Sequence, residues 1–320
     1  MKSSTDGVIG DRRSYWRALT NSQRDGDAPI FDGAYTKSLL LAEKEFAPLY
    51  QIVFKILENT LVSELKLNRE ALSCNSKILD AINQTKALKI QRDWNLMTKL
   101  ESSVLTLLRA HGFLPEILGI EFPINVRVAH GAPPAGYAET NYATDHLHSD
   151  LWAGEPSDIV HGLIYIDGDL LSTFMDLRDC PEALVSAIEN YTGTYKEGFE
   201  IIRSCPAVSY TPQSGQLILF DGVCAHQTIR KGGNARISVD FRLRRSDPYF
   251  FLDERWNRER APWSKYWYLP QVDSESFVDR CANELRMIAK TGNNDAYHAR
   301  KRWIDQLGSA ELARALDGKA

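Results

Sequence analysis

Paired cysteines, basic tracts and long apolar runs are all scarce in this chain, and each scarcity removes a class of function. The five cysteines (Cys74, Cys180, Cys205, Cys224, Cys281) are odd in number, widely spaced and without a CxxC. Neither a disulfide scaffold nor a cysteine-ligated zinc module is therefore expected, and reduced, mostly buried thiols point to a cytoplasmic setting. The first residues show no charged-then-apolar leader, in keeping with that setting. No uninterrupted apolar run nears the roughly 20 residues that span a bilayer, so no membrane partner is expected. Lys and Arg number 38 against 42 Asp and Glu, a net charge of −4 with no long basic block, so nucleic-acid binding is not expected either. Repeats and low-complexity tracts are also missing. What is present is 43% hydrophobic residues over 320 positions, enough for a sizeable core. With no clear linker, a single catalytic domain over 1–320 is expected.

The texture changes along that domain. Residues 1–33 are polar with Gly and Asp punctuation, an arm or a lid. Residues 34–114 read as a helical part: Leu49, Val53, Leu57 and Leu61 recur at i+4, with further segments near 76–91 and 93–112. Pro48 marks a kink or a boundary. Prolines and short β-rich runs then dominate 115–246. FPINVRVAH alternates, with Ile124, Val126 and Val128 on one face and Asn125 and Arg127 on the other. Strands are expected near 145–152, 160–167, 172–178, 204–210, 215–220, 223–229 and 235–244, with a short helix then a loop over 181–200. Residues 247–320 form an aromatic and helical extension carrying Trp256, Trp263 and Trp267. Many short strands in this order suit a mainly β core with helical extensions (α+β) better than an alternating α/β fold.

Chemistry concentrates in three short stretches. His148-Ser149-Asp150 lies in TDHLHSDLW, His226 in FDGVCAHQT, and Arg236-Ile237-Ser238 in GNARISVDF. On a strand, residues i and i+2 face one side, so His148 and Asp150 project together, as do Arg236 and Ser238. Two imidazoles and a carboxylate form a facial triad that leaves positions open on Fe(II), and the mixture suits that ion better than thiolates would. A guanidinium with a nearby hydroxyl suits a carboxylate-bearing cosubstrate.

At these residues the chain resembles the Fe(II)/2-oxoglutarate-dependent dioxygenase superfamily: His148-x-Asp150, then His226, then Arg236-x-Ser238. SGQLILFDG (214–222) and GLIYIDGD (162–169) are similar to the strands flanking those motifs. The resemblance covers about residues 122–245. The texture around HSDLWAGEPSD also looks like the bacterial antibiotic-biosynthesis branch linked to streptomycin-type pathways. The resemblance implies a double-stranded β-helix (jelly-roll, cupin-like) core braced by N- and C-terminal helices, with Fe(II), 2-oxoglutarate and O₂ as the cofactor set. The metal would sit on His148, Asp150 and His226, with 2-oxoglutarate on Arg236 and Ser238. The activity implied is hydroxylation, cyclisation or desaturation of a small polar metabolite. Halogenation is disfavoured, because Asp150 takes the position a halide would need.

Other residues are open to more than one role. Asn125 and Arg127 could meet the other end of 2-oxoglutarate, the substrate, or neither. His146, Trp152, His161, Asp176 and Arg242 are substrate-side candidates. His146 could instead pair with His148 as a ligand, and Trp152 could simply be core. Cys224 could face the site or pack as a small core residue. Alternatives for the whole protein are a cupin-type metal-dependent isomerase or hydrolase without 2-oxoglutarate, a peptide or protein hydroxylase, and a scaffold with a degenerate site. A homodimer contact is open.

Overall fold

The computed structural model describes residues 30–31 and 35–245, with breaks at 115–116, 118, 134–135, 138–139, 141–142, 154 and 156–157, then 266–268 and scattered positions between 281 and 302. The arm or lid over 1–33 falls almost wholly outside the described residues, as do Trp256, Trp263 and most of the aromatic stretch.

Strict alternation builds the larger sheet. In β8 (Arg236–Arg244), Ile237, Val239, Phe241 and Leu243 join one apolar cluster, while Arg236, Asp240 and Arg242 line a cavity on the opposite face. β6 (Gln216–Asp221) divides the same way, with Leu217 and Leu219 on the first side and Ile218 and Phe220 on the second. β4 (Ile159–Gly168) lies between β6 and β8, with Val160, Ile164 and Ile166 on the first side and Leu163 and Tyr165 on the second. β1 (Thr36–Leu40) pairs with β6 at one edge, and β3 (Asn125–Ala129) and β2 (Gly119–Glu121) both pair with β8. β9 (Tyr266–Tyr268) adds to β2. Every pairing is antiparallel. A second sheet joins β5 (Thr173–Arg178) to β7 (Ala225–Arg230), also antiparallel.

The first apolar face is covered by helices. α1 (Glu43–Leu65) buries Leu49, Val53, Phe54, Ile56, Leu57 and Leu61. Each such side chain contributes roughly 1.5–3 kcal/mol relative to exposure. α2 (Asn75–Asn83) and α3 (Trp94–Ala110) complete the layer, α3 starting where the Asp93 side chain accepts from Asn95 N and Leu96 N. Cys281, Leu285 and Ile288, at described helical positions of the C-terminal part, are buried as well. Most of the remaining C-terminal extension lies outside the described residues. Between β5 and β6 run α4 (Glu182–Asn190) and α5 (Tyr195–Ile202).

Several expectations are corrected. Residues 36–40, expected helical, form β1, because pairing with β6 outweighs the helical texture around it. The second helix stops at Asn83 rather than near 91. Pro48 lies inside α1 and does not bound it. The segment 145–152 is no strand: it makes one bridge to β7 and then turns into a 3₁₀ helix, Asp150–Ala153. The stretch 204–210 is no strand either, having a single bridge, Arg178 to Ala207. Where 181–200 was expected to end as a loop, α5 forms, because Thr194 and Glu197 close a capping box around its first turn.

Candidate active site

The site begins with a backbone clasp. His148 N donates to His226 O (3.0 Å), His226 N to His148 O (2.8 Å) and Thr228 N to Thr144 O (2.7 Å). The approach to the H-x-D thus lies antiparallel to β7, and the rings of His148 and His226 come to 4.3 Å. The chain then tightens into its 3₁₀ turn, with Ser149 Oγ donating to Gly222 O at 2.7 Å. That turn, not a shared strand face, brings the Asp150 carboxylate back: Oδ1 is 3.3 Å from His148 Nε2 and 3.6 Å from His226 Nε2.

The tautomers follow from the neighbours. His148 Nδ1 meets His146 O at 2.6 Å and His226 Nδ1 meets Cys224 O at 3.4 Å. A carbonyl only accepts, so both Nδ1 atoms donate, and both Nε2 atoms turn to the carboxylate. Burial first, then His148 nearby, pushes His226 down to about 3, so its Nε2 holds an open lone pair at neutral pH. Burial works against the Asp150 carboxylate, yet the surrounding imidazoles and the Arg242 guanidinium hold it well below the usual carboxylate range. Lone pairs this close repel unless a cation lies between them. Donors about 2.1 Å from one ion stand roughly 3–4 Å apart, and the three donor atoms here all lie within 4.8 Å of one another. The residues fit a divalent metal with nitrogen and oxygen donors.

The Asp150 carboxylate is held from behind. Arg242 Nη2 donates to Asp150 Oδ2 (3.0 Å) and Nη1 to Glu121 Oε2 (3.0 Å). His161 Nε2 lies 3.6 Å from the same Oδ2, its ring stacked on Phe220. Burial first, despite Asp150, pushes His161 down to about 3, so it too is neutral.

These groups open on one cavity of about 580 Å³, its open mouth included, lined from both sheets. At the other end of the β8 row stands Arg236, 2% exposed, over the Tyr165 ring at 5.6 Å. Among the described residues its Nε and Nη1 have no hydrogen-bond partner. Burial lowers its pKa, but a guanidinium stays charged throughout the usual pH range.

Of the residues singled out from sequence, His148, Asp150, His226, Arg236, Arg127, His161 and Arg242 line this cavity. Ser238 does not; its hydroxyl donates to Asp240 Oδ1 at 2.9 Å. Asn125 is absent from the lining too, and His146 serves the site through its carbonyl. Asp176 bonds Arg178 and Gln227 instead. Trp152 is core, 1% exposed, its Nε1 donating to Ile188 O at 3.0 Å. Cys224 is core as well, its thiol directed at Tyr35 O. Sequence reasoning missed Asp240, which contacts Arg127 and lines the cavity; its place in the even row Arg236, Ser238, Asp240, Arg242 was the available signal. It also missed Thr144, Thr228 and Tyr195, whose ring stacks on His148 at 3.9 Å.

No protein-family model matches the chain, and no curated protein does. Among solved structures, the non-heme alpha-ketoglutarate-dependent epimerase SnoN from nogalamycin biosynthesis aligns over 78% of this chain and 80% of its own, with 10% identity and a TM-score of 0.27. The N-substituted L-amino acid dioxygenase from Burkholderia ambifaria AMMD, in complex with alpha-KG, aligns over 71% and 86%, with 13% identity and a TM-score of 0.30. EctD from S. alaskensis, with 2-oxoglutarate and 5-hydroxyectoine, aligns over 68% and 78%, with 15% identity and a TM-score of 0.34. At such TM-scores the chemistry of this site rests on its own residues. No helix among the described residues is long and apolar enough to cross a membrane.

Proposed function

We propose that this protein is an Fe(II)- and 2-oxoglutarate-dependent oxygenase of a small polar metabolite, in one catalytic domain whose two sheets form a double-stranded β-helix. Tailoring in bacterial secondary metabolism is the setting proposed, on the texture of HSDLWAGEPSD. One observation carries the chemistry: a divalent-metal donor set and an unpaired, buried guanidinium share a single cavity. His148, Asp150 and His226 would hold the ion from one side. When bound, iron would couple O₂ reduction to decarboxylation of 2-oxoglutarate, giving succinate and CO₂ and oxidising a substrate C–H bond.

The chain's own residues do the rest. Arg236 takes the far carboxylate through its open Nε and Nη1, over the Tyr165 ring. Arg127 is the second cation on that wall, and Ser238 steadies Asp240 instead of meeting the cosubstrate. Arg242 occupies Asp150 Oδ2, leaving Oδ1 for the metal. His161, neutral and facing the cavity, offers a hydrogen bond to a polar substrate, while Leu163, Met175 and Phe220 limit water.

A second reading, a cupin-type isomerase or hydrolase without 2-oxoglutarate, has one observation in its favour. His161 Nε2 lacks a hydrogen-bond partner among the described residues and lies beside Asp150, as a further imidazole ligand would. Succinate release from 2-oxoglutarate under Fe(II) and air separates the two. The oxygenase releases succinate even without its substrate, slowly, and Arg236→Ala moves that release to much higher 2-oxoglutarate concentration. The isomerase or hydrolase releases none, and Arg236 is dispensable.

A further inference from the structure

The pair His148 and Asp150 sits on irregular backbone beside β7. One bridge joins it to β7, and the chain then leaves the sheet for a single 3₁₀ turn. The backbone clasp to His226 holds His148 and the Ser149–Gly222 bond holds the turn, but no ladder continues along Asp150–Ala153. The insert between β5 and β6 packs against this segment.

Four contacts from α4, α5 and the turn between them converge on His148 and Trp152. The Tyr195 ring lies on the His148 imidazole, centroids 3.9 Å apart and planes within 14°. Both side chains are buried. The Trp152 indole donates from Nε1 to Ile188 O at 3.0 Å. Its ring packs on Tyr191, centroids 4.8 Å apart. Gly198 completes the seat: a Cβ there would stand 2.2 Å from the indole Cζ3, so α5 rests on Trp152 only because that position is glycine. The capping box of Thr194 and Glu197 fixes the turn that presents Tyr195.

The geometry has a specific consequence for His148. Its Nδ1 bond to His146 O holds one edge of the ring but leaves tilt about that axis. A face contact at van der Waals distance removes the tilt and keeps Nε2 on the donor cluster. We propose that the α4–α5 insert is a clamp that sets metal affinity, with Tyr195 and Trp152 as positioning residues acting through His148 and Asp150. The inference rests on His148 and Asp150 being metal ligands.

The test is Mn(II) titration of the full chain, read by the electron paramagnetic resonance of free ion, with apo melting temperatures alongside. Groups that orient metal ligands typically change affinity 10–100-fold when altered. Gly198→Ala places a more helix-favouring residue against the indole, and Tyr195→Leu removes the ring face; each is expected to weaken Mn(II) binding about tenfold or more. Tyr195→Phe keeps the face and restores near wild-type affinity. Phe199→Ala, at an exposed position of α5, leaves affinity unchanged. Wild-type affinity in both Gly198→Ala and Tyr195→Leu, whatever their melting temperatures, overturns the clamp and leaves the metal reading intact. Should Gly198→Ala not fold, Tyr195→Leu against Tyr195→Phe decides alone. If wild type binds neither Mn(II) nor anaerobic Fe(II), the metal reading fails and the clamp with it.

Discussion

A guanidinium buried without an anion is expensive, because desolvating a charge costs several kcal/mol unless hydrogen bonds replace water. Arg236 is close to that state: Tyr165 lies under it and Asp240 is near enough to attract it, but Nε and Nη1 have no hydrogen-bond partner in the described chain. The cost suits a residue kept to bind a ligand. Arg236→Leu is accordingly expected to stabilise the ligand-free protein, by about 1 kcal/mol or more, seen as a raised urea midpoint at unchanged slope. A lower midpoint would make Arg236 a structural residue. The sequence showed this Arg because its chemical type and the period of 2 around it are both local properties. The role of Ser238 was not local. A hydroxyl goes to the best acceptor in reach, and Asp240, two residues on along the same face, takes it. Trp152 was left open between pocket wall and core for a like reason: adjacency to the H-x-D says nothing of direction, and its indole turns toward Ile188.

Elements that alternate cleanly were legible, and those held by distant partners were not. β4, β6 and β8 each carry the apolar pattern their burial demands, and all three stand close to where the sequence placed them. β1 is only five residues, Thr36–Leu40, too short for a period to declare itself. Residues 145–152 carry a strand-like pattern, but Ser149 bonds Gly222 O and the chain turns. The closeness of the two side chains survives that error because a 3₁₀ turn also brings Asp150 back to His148. The two faces of β6 should be separable. Leu219 packs toward the helices and Phe220 stacks on His161. Leu219→Ala is expected to cost about 2–5 kcal/mol of global stability, measured by denaturant melts, with Mn(II) affinity unchanged. A parallel loss of metal affinity would mean that the helix-side core and the site are one mechanical unit.

At the scale of the molecule, two antiparallel sheets line the cavity described above, helices α1–α3 cover the other face of the larger sheet, and α4–α5 sit over the turn at Asp150–Ala153. The cavity is arranged along β8, with Arg242 behind the metal donors, Asp240 and Arg127 in the middle, and Arg236 at the far end. A dianion with one chelating end and one free carboxylate matches that row, and the pairing of metal site with anion site is the central claim. It is tested most directly by anaerobic titration of the protein with Fe(II) and then 2-oxoglutarate, followed by visible absorbance, with His226→Ala and Arg236→Ala beside wild type. A metal-to-ligand charge-transfer band is expected in wild type, absent in His226→Ala and shifted to much higher 2-oxoglutarate concentration in Arg236→Ala. Fe(II) binding with no band at any 2-oxoglutarate concentration would contradict the account and leave the isomerase or hydrolase reading in its place.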